Sequence, residues 1–199
     1  IDLRRLRKFK NIRVAYNRRF YAGTEVLQKF TLSNPKALVK VTIPELRKDP
    51  EHNIDFPYRL PVLTYENSVH IFDLLRYICG EVEWNFLKNI KDQSRYIALL
   101  AIGHSARGAS IQLDSYYNAS ENFSISATSG DVTVKMCPLE LTNVFCGIEV
   151  KEPTDLMPIR LYKPIVEKQV VDMPKDGHKP GFIRQAEDFM NFCIGKKCK

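Results

Sequence analysis

The 199-residue sequence lacks long apolar runs and paired cysteines, and both absences restrict its class. No stretch approaches the ~18 apolar residues of a membrane-spanning helix. The charged amino terminus also lacks the apolar core of a secretory signal. Five scattered cysteines without a Cys-x-x-Cys pair indicate neither a disulfide framework nor a zinc site, so we expect buried free thiols. These absences predict a cytoplasmic protein without a bound metal.

Nucleotide-binding turns are absent as well. The glycines in the stretch Gly103–Gly108 are wrongly spaced for the G-x-G-x-x-G turn that binds dinucleotides. The same stretch lacks the Gly-Lys-Ser/Thr sequence of a phosphate-binding loop. No internal repeat or low-complexity segment is present either. With 44% hydrophobic and 27% charged residues, the composition is that of one ordinary globular domain.

The formal net charge of +7 favours binding of nucleic acid, an anionic membrane surface or a phosphorylated small molecule, and it selects none of them. The densest basic cluster, Arg4–Lys8, lies in a predicted helix whose apolar side is formed by Leu3, Leu6 and Phe9. A solvated helix face explains this cluster better than a binding site does. A basic nucleic-acid-binding domain stays as an alternative, and it predicts binding that weakens steeply with salt.

Hydrophobic periodicity predicts four helices and nine strands. The helices span residues 3–10, 18–30, 66–79 and 181–194, and the strands span residues 12–16, 37–43, 82–87, 96–102, 110–117, 123–127, 132–136, 144–150 and 159–162. Thr64 and Gly80 are the predicted ends of the third helix. Short turns between successive strands indicate an antiparallel sheet, and the proline-rich stretch 47–61 is predicted to be a loop that could cover a site. The fold class is therefore α+β.

The predicted helix 66–79 carries the candidate chemistry. Apolar residues surround most of it, which indicates packing on several sides. Glu66, His70, Asp73 and Tyr77 form the remaining polar stripe, because residues spaced by three or four positions share one helix face. A histidine beside carboxylates can act as a general acid or base in the interconversion of an alcohol and a ketone. Spacing alone leaves a second interpretation open, which is a structural histidine with satisfied hydrogen bonds.

Four segments carry a resemblance to a known family. Residues 66–81 combine a histidine, an aspartate three residues later, Leu-Leu-Arg-Tyr and Gly-Glu, and residues 14–20 read Val-Ala-Tyr-Asn-Arg-Arg-Phe. Residues 130–140 carry strand sequence, and residues 179–195 carry a closing helix. In this order the segments resemble the C-terminal domain of the glucose–fructose oxidoreductase, inositol dehydrogenase and MocA (Gfo/Idh/MocA) family, and they cover nearly the whole chain.

The resemblance implies a large, open, mainly antiparallel sheet with helices packed on one face, like that of glyceraldehyde-3-phosphate dehydrogenase. It implies that residues 1–11 are the remnant of the last helix of a missing Rossmann domain, and that residues 12–199 are the substrate-binding and oligomerisation domain. The free sheet face is expected to form a homodimer or homotetramer. Because the sequence begins at Ile1 and stops at Lys199 after a helix-like run, we expect both ends to be cut.

The family also implies a function for the parent protein, which is the oxidation or reduction of a sugar, nucleotide sugar or related polyol with NAD or NADP. The family's glycine-rich turn and Glu-Lys-Pro motif, which supply the cofactor site and a catalytic lysine, are missing from this sequence. We therefore expect this fragment to bind no cofactor by itself and to be inactive alone. A non-catalytic binding or assembly module of the same fold is the alternative.

The resemblance assigns roles within the polar stripe. His70 matches the family's active-site histidine, which transfers a proton or orients the substrate. Glu66 is the second catalytic candidate, because it stands where many members carry an aspartate that pairs with this histidine. The glutamate is a departure from the family pattern. Asp73 is either a substrate ligand or a group that orients the helix, and both interpretations stay open.

The stretch 16–19 is assigned to the substrate. Asn17, Arg18 and Arg19 match the family segment that approaches the substrate. An arginine there suits a carboxylate or phosphate, because a guanidinium binds such groups through two parallel hydrogen bonds. Tyr16 completes the predicted substrate-binding set as a packing residue with a hydroxyl anchor.

Overall fold

The computed structural model describes residue 9 and residues 12–45, 67–92, 95–116, 119–196 and 198. The predictions for the loop 47–61, for Thr64, for Glu66 and, apart from Phe9, for the helix 3–10 lie outside the described residues. A 3-10 turn, Asn17–Phe20, is followed by the helices α1 (Ala22–Ser33), α2 (Ser68–Cys79) and α3 (Phe182–Cys193). The strands are β1 (Leu38–Thr42), β2 (Val82–Asp92), β3 (Arg95–Ser105), β4 (Ser110–Tyr116), β5 (Ser124–Ser129), β6 (Val132–Met136), β7 (Leu141–Lys151) and β8 (Leu161–Val171).

These strands form one sheet in the order β2-β3-β4-β1-β5-β6-β7-β8. Neighbouring strands are antiparallel except for β1 beside β4, where Val39 aligns with Ile111 in a parallel pair. The predicted α+β fold with an open, mainly antiparallel sheet is confirmed. The parallel pair follows from the chain order, because α2 and the β2–β3 hairpin separate β1 from β4 and supply the long crossover that parallel strands need.

The core lies between the sheet and the helices α1 and α2. In the central strands every second side chain is buried, as at Val39 and Ile111, and the residues between them are exposed or half-buried. The inward side chains pack against Leu27 of α1 and against Leu74 and Ile78 of α2. Complete burial of each such side chain contributes roughly 1.5–3 kcal/mol to stability. This packing fixes α2, and with it the polar stripe, on one face of the sheet.

The helix α3 stands apart from this core. It has no buried residue, and it contacts the 3-10 turn Asn17–Phe20. Gly181 precedes it in the left-handed conformation, with φ 79°, and a Cβ added there would lie 2.2 Å from the Asn17 carbonyl oxygen. Only glycine allows this close approach of the two segments. None of the helices in the described part of the chain combines the length and apolarity of a membrane span.

Near the start of the chain one prediction is wrong, and a second is correct in type with shifted bounds. Residues 12–16 form no strand, and the helix predicted at 18–30 is a 3-10 turn followed by α1. Tyr21 is extended, with φ −69° and ψ 142°, and separates the two elements. Ile12 and Val14 are exposed, no described strand pairs with residues 12–16, and the stretch instead lies beside α3, where residues 13–16 line a cavity and Arg13 contacts Asp188.

Four strands are longer than predicted by four or more residues. The strands predicted at 82–87, 96–102, 144–150 and 159–162 are β2, β3, β7 and β8, and β8 runs nine residues beyond the predicted end. Because β8 is exposed along nearly its whole length, it carries charged residues such as Lys163 and Lys168 and shows little apolar alternation. Periodicity reveals a strand only where one face of that strand is buried.

Candidate active site

A buried carboxylate holds the N-terminus of α2. Glu45, with 2% of its surface exposed, accepts hydrogen bonds from the backbone N–H groups of Asn67 (3.2 Å) and Ser68 (2.7 Å). It also accepts from the Asn67 amide at 3.0 Å and from the Ser68 hydroxyl at 2.6 Å. Negative charge is favoured at this end of a helix, and Gly80, with φ 86°, follows the other end as predicted. These contacts fix the rotation of α2 and therefore the direction of His70.

The 3-10 turn Asn17–Phe20 faces α2 and is anchored from the far end of the chain. The Asn17 amide donates to the Pro180 carbonyl at 3.0 Å. Arg184 of α3 donates to the Phe20 carbonyl at 2.9 Å. The turn is therefore held between α2 and α3, and its side chains have defined positions.

Arg19 joins this turn to α2. Its Nε donates to Asp73 Oδ2 at 2.8 Å and its Nη2 donates to Oδ1, so the two groups form a bidentate ion pair. The guanidinium carbon lies 5.5 Å from the centre of the Tyr16 ring and 5.3 Å from that of Tyr77. The hydrogen bond with Asp73 is the main cause that raises the pKa of Arg19. Guanidinium and carboxylate thus neutralise each other within the chain.

His70 lies half-buried beside the same turn. Its ring meets the Tyr16 ring edge-on, with 5.6 Å between the centroids. Its Nδ1 is buried and has no hydrogen-bond partner among the described residues. Burial is the main cause that lowers the pKa of His70, the charge of Arg18 lowers it further, and Asp73 opposes both. The lowered pKa favours the neutral imidazole, which can accept a proton. Glu66, its predicted partner, lies outside the described residues.

Arg18 has a different environment from its neighbour Arg19. Its backbone carbonyl accepts a hydrogen bond from the Thr24 hydroxyl at 2.7 Å. Its guanidinium carbon lies 5.8 Å from the centre of the Phe123 ring. Its Nη1 is buried without a hydrogen-bond partner in the described part of the chain. The site therefore presents a positive charge next to a neutral imidazole.

A cavity of about 680 Å³ borders this site between residues 13–20 and α3. Its mainly apolar lining includes Arg19 but neither Arg18 nor His70; the lining residues are Arg13, Val14, Ala15, Tyr16, Arg19, Phe20, Phe182, Gln185, Ala186, Asp188 and Phe189. Arg13 lies at this surface, 3.3 Å from Asp188 and 4.1 Å from the centre of the Phe192 ring. The cavity adjoins the candidate chemistry through Tyr16 and Arg19, on the other side of the turn.

The described residues hold no metal-binding cluster, and the N-termini of α1 and α2 do not suit the phosphates of a dinucleotide. The described residues contain no group of three or more His, Cys, Asp or Glu side chains that could hold a metal. Dinucleotide phosphates bind at helix N-termini. Here the Asp172 carboxylate occupies the N-terminus of α1, and Glu45 occupies that of α2. A pyrophosphate at either position would be repelled by like charge.

Five of the predicted site residues meet where the 3-10 turn packs against α2: Tyr16, Arg18, Arg19, His70 and Asp73. The Asn17 side chain instead binds the Pro180 carbonyl, on the side of α3. Sequence reasoning missed Glu45 and Phe123. Glu45 lies 22 positions before Asn67 and so has no local capping pattern, and Phe123 carries no signal beyond its apolar character.

The fold can be compared with known structures. No family model matches the sequence, and no curated protein matches it significantly. A levoglucosan dehydrogenase in complex with NADH and levoglucosan is similar at 15% identity and a TM-score of 0.60, over 95% of this chain and 59% of that one. An aldose–aldose oxidoreductase from Caulobacter crescentus is similar at 14% identity and a TM-score of 0.62, over 94% and 55%. The WlbA dehydrogenase from Bordetella pertussis, in complex with NADH and UDP-GlcNAcA, is similar at 15% identity and a TM-score of 0.54, over 90% and 52%.

These matches define the class of domain. The chain spans between 52% and 59% of the length of these three structures, and at such low identity the likeness concerns the fold. The shared fold is an open sheet with helices on one face, and it makes up only part of each of these structures. The resemblance to the C-terminal domain of the Gfo/Idh/MocA family is thereby confirmed at the level of the fold.

Proposed function

We propose that this chain is the substrate-binding and oligomerisation half of an NAD- or NADP-dependent oxidoreductase that acts on a sugar, nucleotide sugar or related polyol. The observation that carries the proposal is the half-buried imidazole of His70, which contacts the ring of Tyr16 beside the arginine-bearing turn. The shared fold with sugar dehydrogenases supports it. In this proposal the cofactor binds to the remainder of the parent protein, and the carboxylates at the N-termini of α1 and α2 support this assignment.

In this proposal His70 moves a proton. Oxidation of a substrate alcohol releases the proton of its hydroxyl group, and a neutral imidazole nitrogen accepts it. In the reverse direction the imidazolium returns this proton to the carbonyl oxygen. Because burial and Arg18 lower the pKa of His70, the base form is available at neutral pH. Glu66 remains the proposed partner that orients this ring.

Asp73 and Arg19 position the site in this proposal. Their ion pair ties α2 to the 3-10 turn and stacks the guanidinium between the rings of Tyr16 and Tyr77. It thereby sets the distance between His70 and the turn that approaches the substrate. Of the two roles open for Asp73, the geometry supports the one that orients the helix, since Arg19 engages both carboxylate oxygens.

The test uses the parent protein and two histidine variants. His70→Ala is expected to bind NADH, seen by fluorescence, and to lose turnover of candidate sugars by roughly 10²–10⁴-fold. His104→Ala is the matched control, because His104 is an exposed histidine of β3 that lies 3.0 Å from Asn85. Two results would contradict the proposal: a parent that binds no cofactor, and a His70→Ala variant that is as active as His104→Ala. Either result would favour a non-catalytic module of the same fold.

We also propose that the free face of the sheet forms the homodimer or homotetramer interface. In β3 the side chain of Ala101 is buried and that of Ile102 is exposed, so Ile102 points away from the helices. Phe86 pairs with Ile102 across β2 and β3 and is exposed with it. Exposed apolar side chains clustered on a sheet face are typical of an interface.

A further inference from the structure

The two neighbouring arginines of the 3-10 turn are not equivalent. Arg19 is neutralised by Asp73, whereas no carboxylate within the described ranges pairs with Arg18. The buried Nη1 of Arg18 has no acceptor there. Buried donors without a partner are rare in native proteins, because an unmade hydrogen bond costs free energy, and water, an ion or a ligand usually satisfies them. Arg18 is therefore a position where an external acceptor stabilises the protein.

A second unsatisfied group lies beside Arg18. The Nδ1 of His70 is also buried and has no partner in the described part of the chain. Both groups lie where the 3-10 turn packs against α2, because the His70 ring contacts the ring of Tyr16, two positions before Arg18 in the chain. The Phe123 ring, 5.8 Å from the Arg18 guanidinium carbon, forms an apolar wall. One junction thus holds a cationic donor beside an aromatic ring and a second unsatisfied nitrogen, and a few polar groups beside an apolar surface are a common arrangement for binding a small organic ligand.

A third buried atom without a partner, Thr142 Oγ1, has no such surroundings. It lies against Gly23 of α1, where an added Cβ would be only 1.9 Å from it. No room exists there for a ligand. Two of the three unsatisfied atoms among the described residues thus lie at the candidate site, where the turn meets α2.

We propose that Arg18 binds an acidic group, a carboxylate or a phosphate, that the sugar substrate carries, and that Nδ1 of His70 donates a second hydrogen bond to this group. The identity of the ligand as a sugar rests on the proposed function, and the anion site rests on Arg18 and His70 alone. With its proton on Nδ1, the imidazole keeps Nε2 free to accept the hydroxyl proton. The charges of Arg19 and Asp73 cancel, so the excess positive charge beside His70 comes from Arg18.

The experiment is a calorimetric titration of the 199-residue chain with D-glucuronate, D-glucose 6-phosphate and D-glucose. At least one acidic sugar is expected to bind about tenfold or more tightly than glucose, since a hydrogen-bonded charge provides that discrimination. The acidic sugar that binds more tightly identifies the acidic group as a carboxylate or a phosphate. Arg18→Gln is expected to abolish the preference. Arg160→Gln removes one positive charge from an exposed ion pair with Glu152, and this variant is expected to retain the preference for acidic sugars.

Equal affinity for acidic and neutral sugars, or no binding of any of the three, overturns the anion site. An Arg18→Gln chain that binds like Arg160→Gln also overturns it. Should Arg18→Gln fail to fold, Arg18→Lys serves instead and is expected to weaken the preference, because an ammonium lacks the bidentate geometry. A parent with His70-dependent turnover and no preference for acidic sugars keeps the proposed function and rejects the anion site. A preference for acidic sugars in a parent without turnover keeps the anion site and rejects the proposed function.

Discussion

Asp73 shows what a single substitution does at the junction of the turn and α2. Its side chain is only 9% exposed, and Arg19 is its bidentate partner. Asp73→Asn leaves a partly buried guanidinium without a counter-ion. The free energy of unfolding is expected to fall by about 2 kcal/mol, below the usual loss for a fully buried pair because Arg19 keeps contact with water. Urea denaturation measures this loss.

The matched control is the second ion pair of the same helix. Arg76 pairs with Glu81, and both side chains are largely exposed. Arg76→Gln is expected to change the unfolding free energy far less, since exposed pairs contribute little. Equal losses in Arg76→Gln and Asp73→Asn would contradict the tethering role of Asp73.

His70 makes stability depend on pH in a defined direction. Its pKa is lowered in the folded chain, mainly by burial, so below about pH 6.5 the unfolded chain takes up a proton that the folded chain does not yet bind. The unfolding free energy contributed by His70 is therefore complete above pH 6.5 and declines as the pH falls towards the folded-state pKa. Denaturation of the chain and of His70→Gln between pH 7 and 5 is expected to show a shallower decline in the variant. Parallel declines, or an NMR titration of His70 with a raised pKa, would refute this.

At the scale of elements, the packing of α1 on the sheet depends on Gly23. In most helices Gly→Ala stabilises by roughly 0.5–1 kcal/mol. Here a Cβ would lie 1.9 Å from Thr142 Oγ1 and 3.0 Å from Thr142 Cβ, so Gly23→Ala is expected to destabilise the protein by about 1–3 kcal/mol. Adding Thr142→Ala removes the hydroxyl and is expected to restore part of the loss, which a double-mutant cycle in urea measures. Additive losses would disprove the clash.

The elements also show what sequence could predict. The helix α2 was predictable, because its 3.6-residue period and Gly80 locate it to within two residues, and its polar stripe does bring His70 and Asp73 towards the same turn. The segment that faces α2, residues 12–16 and the 3-10 turn, was not predictable. The apolar spacing of residues 12–16 also fits a strand, and the packing that decides the matter comes from α3, far along the chain. A tertiary contact such as the one between Arg19 and Asp73 leaves no periodic pattern in the sequence.

At the scale of the whole molecule, the proposed interface can be tested on its most exposed apolar residue in the centre of β3. Ile102 is 56% exposed on the free sheet face. Ile102→Lys places a charge there and is expected to convert the oligomer to a monomer in sedimentation velocity, because a desolvated, unpaired charge is costly in an interface. Leu156→Lys is the control, since Leu156 is 99% exposed in the connection from β7 to β8. A monomeric parent, or equal effects of both variants, would reject this face as the interface.

The attachment of the 3-10 turn to α3 has a consequence for how the protein is made. The hydrogen bonds from Asn17 to Pro180 and from Arg184 to Phe20 join residues 163 and 164 positions apart. At translation rates of about 5–20 residues per second, the turn emerges on the order of 10–30 s before its partners are synthesised. During that interval the nascent chain has α2 but no anchored turn opposite it. The proposed capacity to bind a ligand between the turn and α2 is therefore acquired only after α3 has been synthesised, and stabilisation by that ligand begins only then.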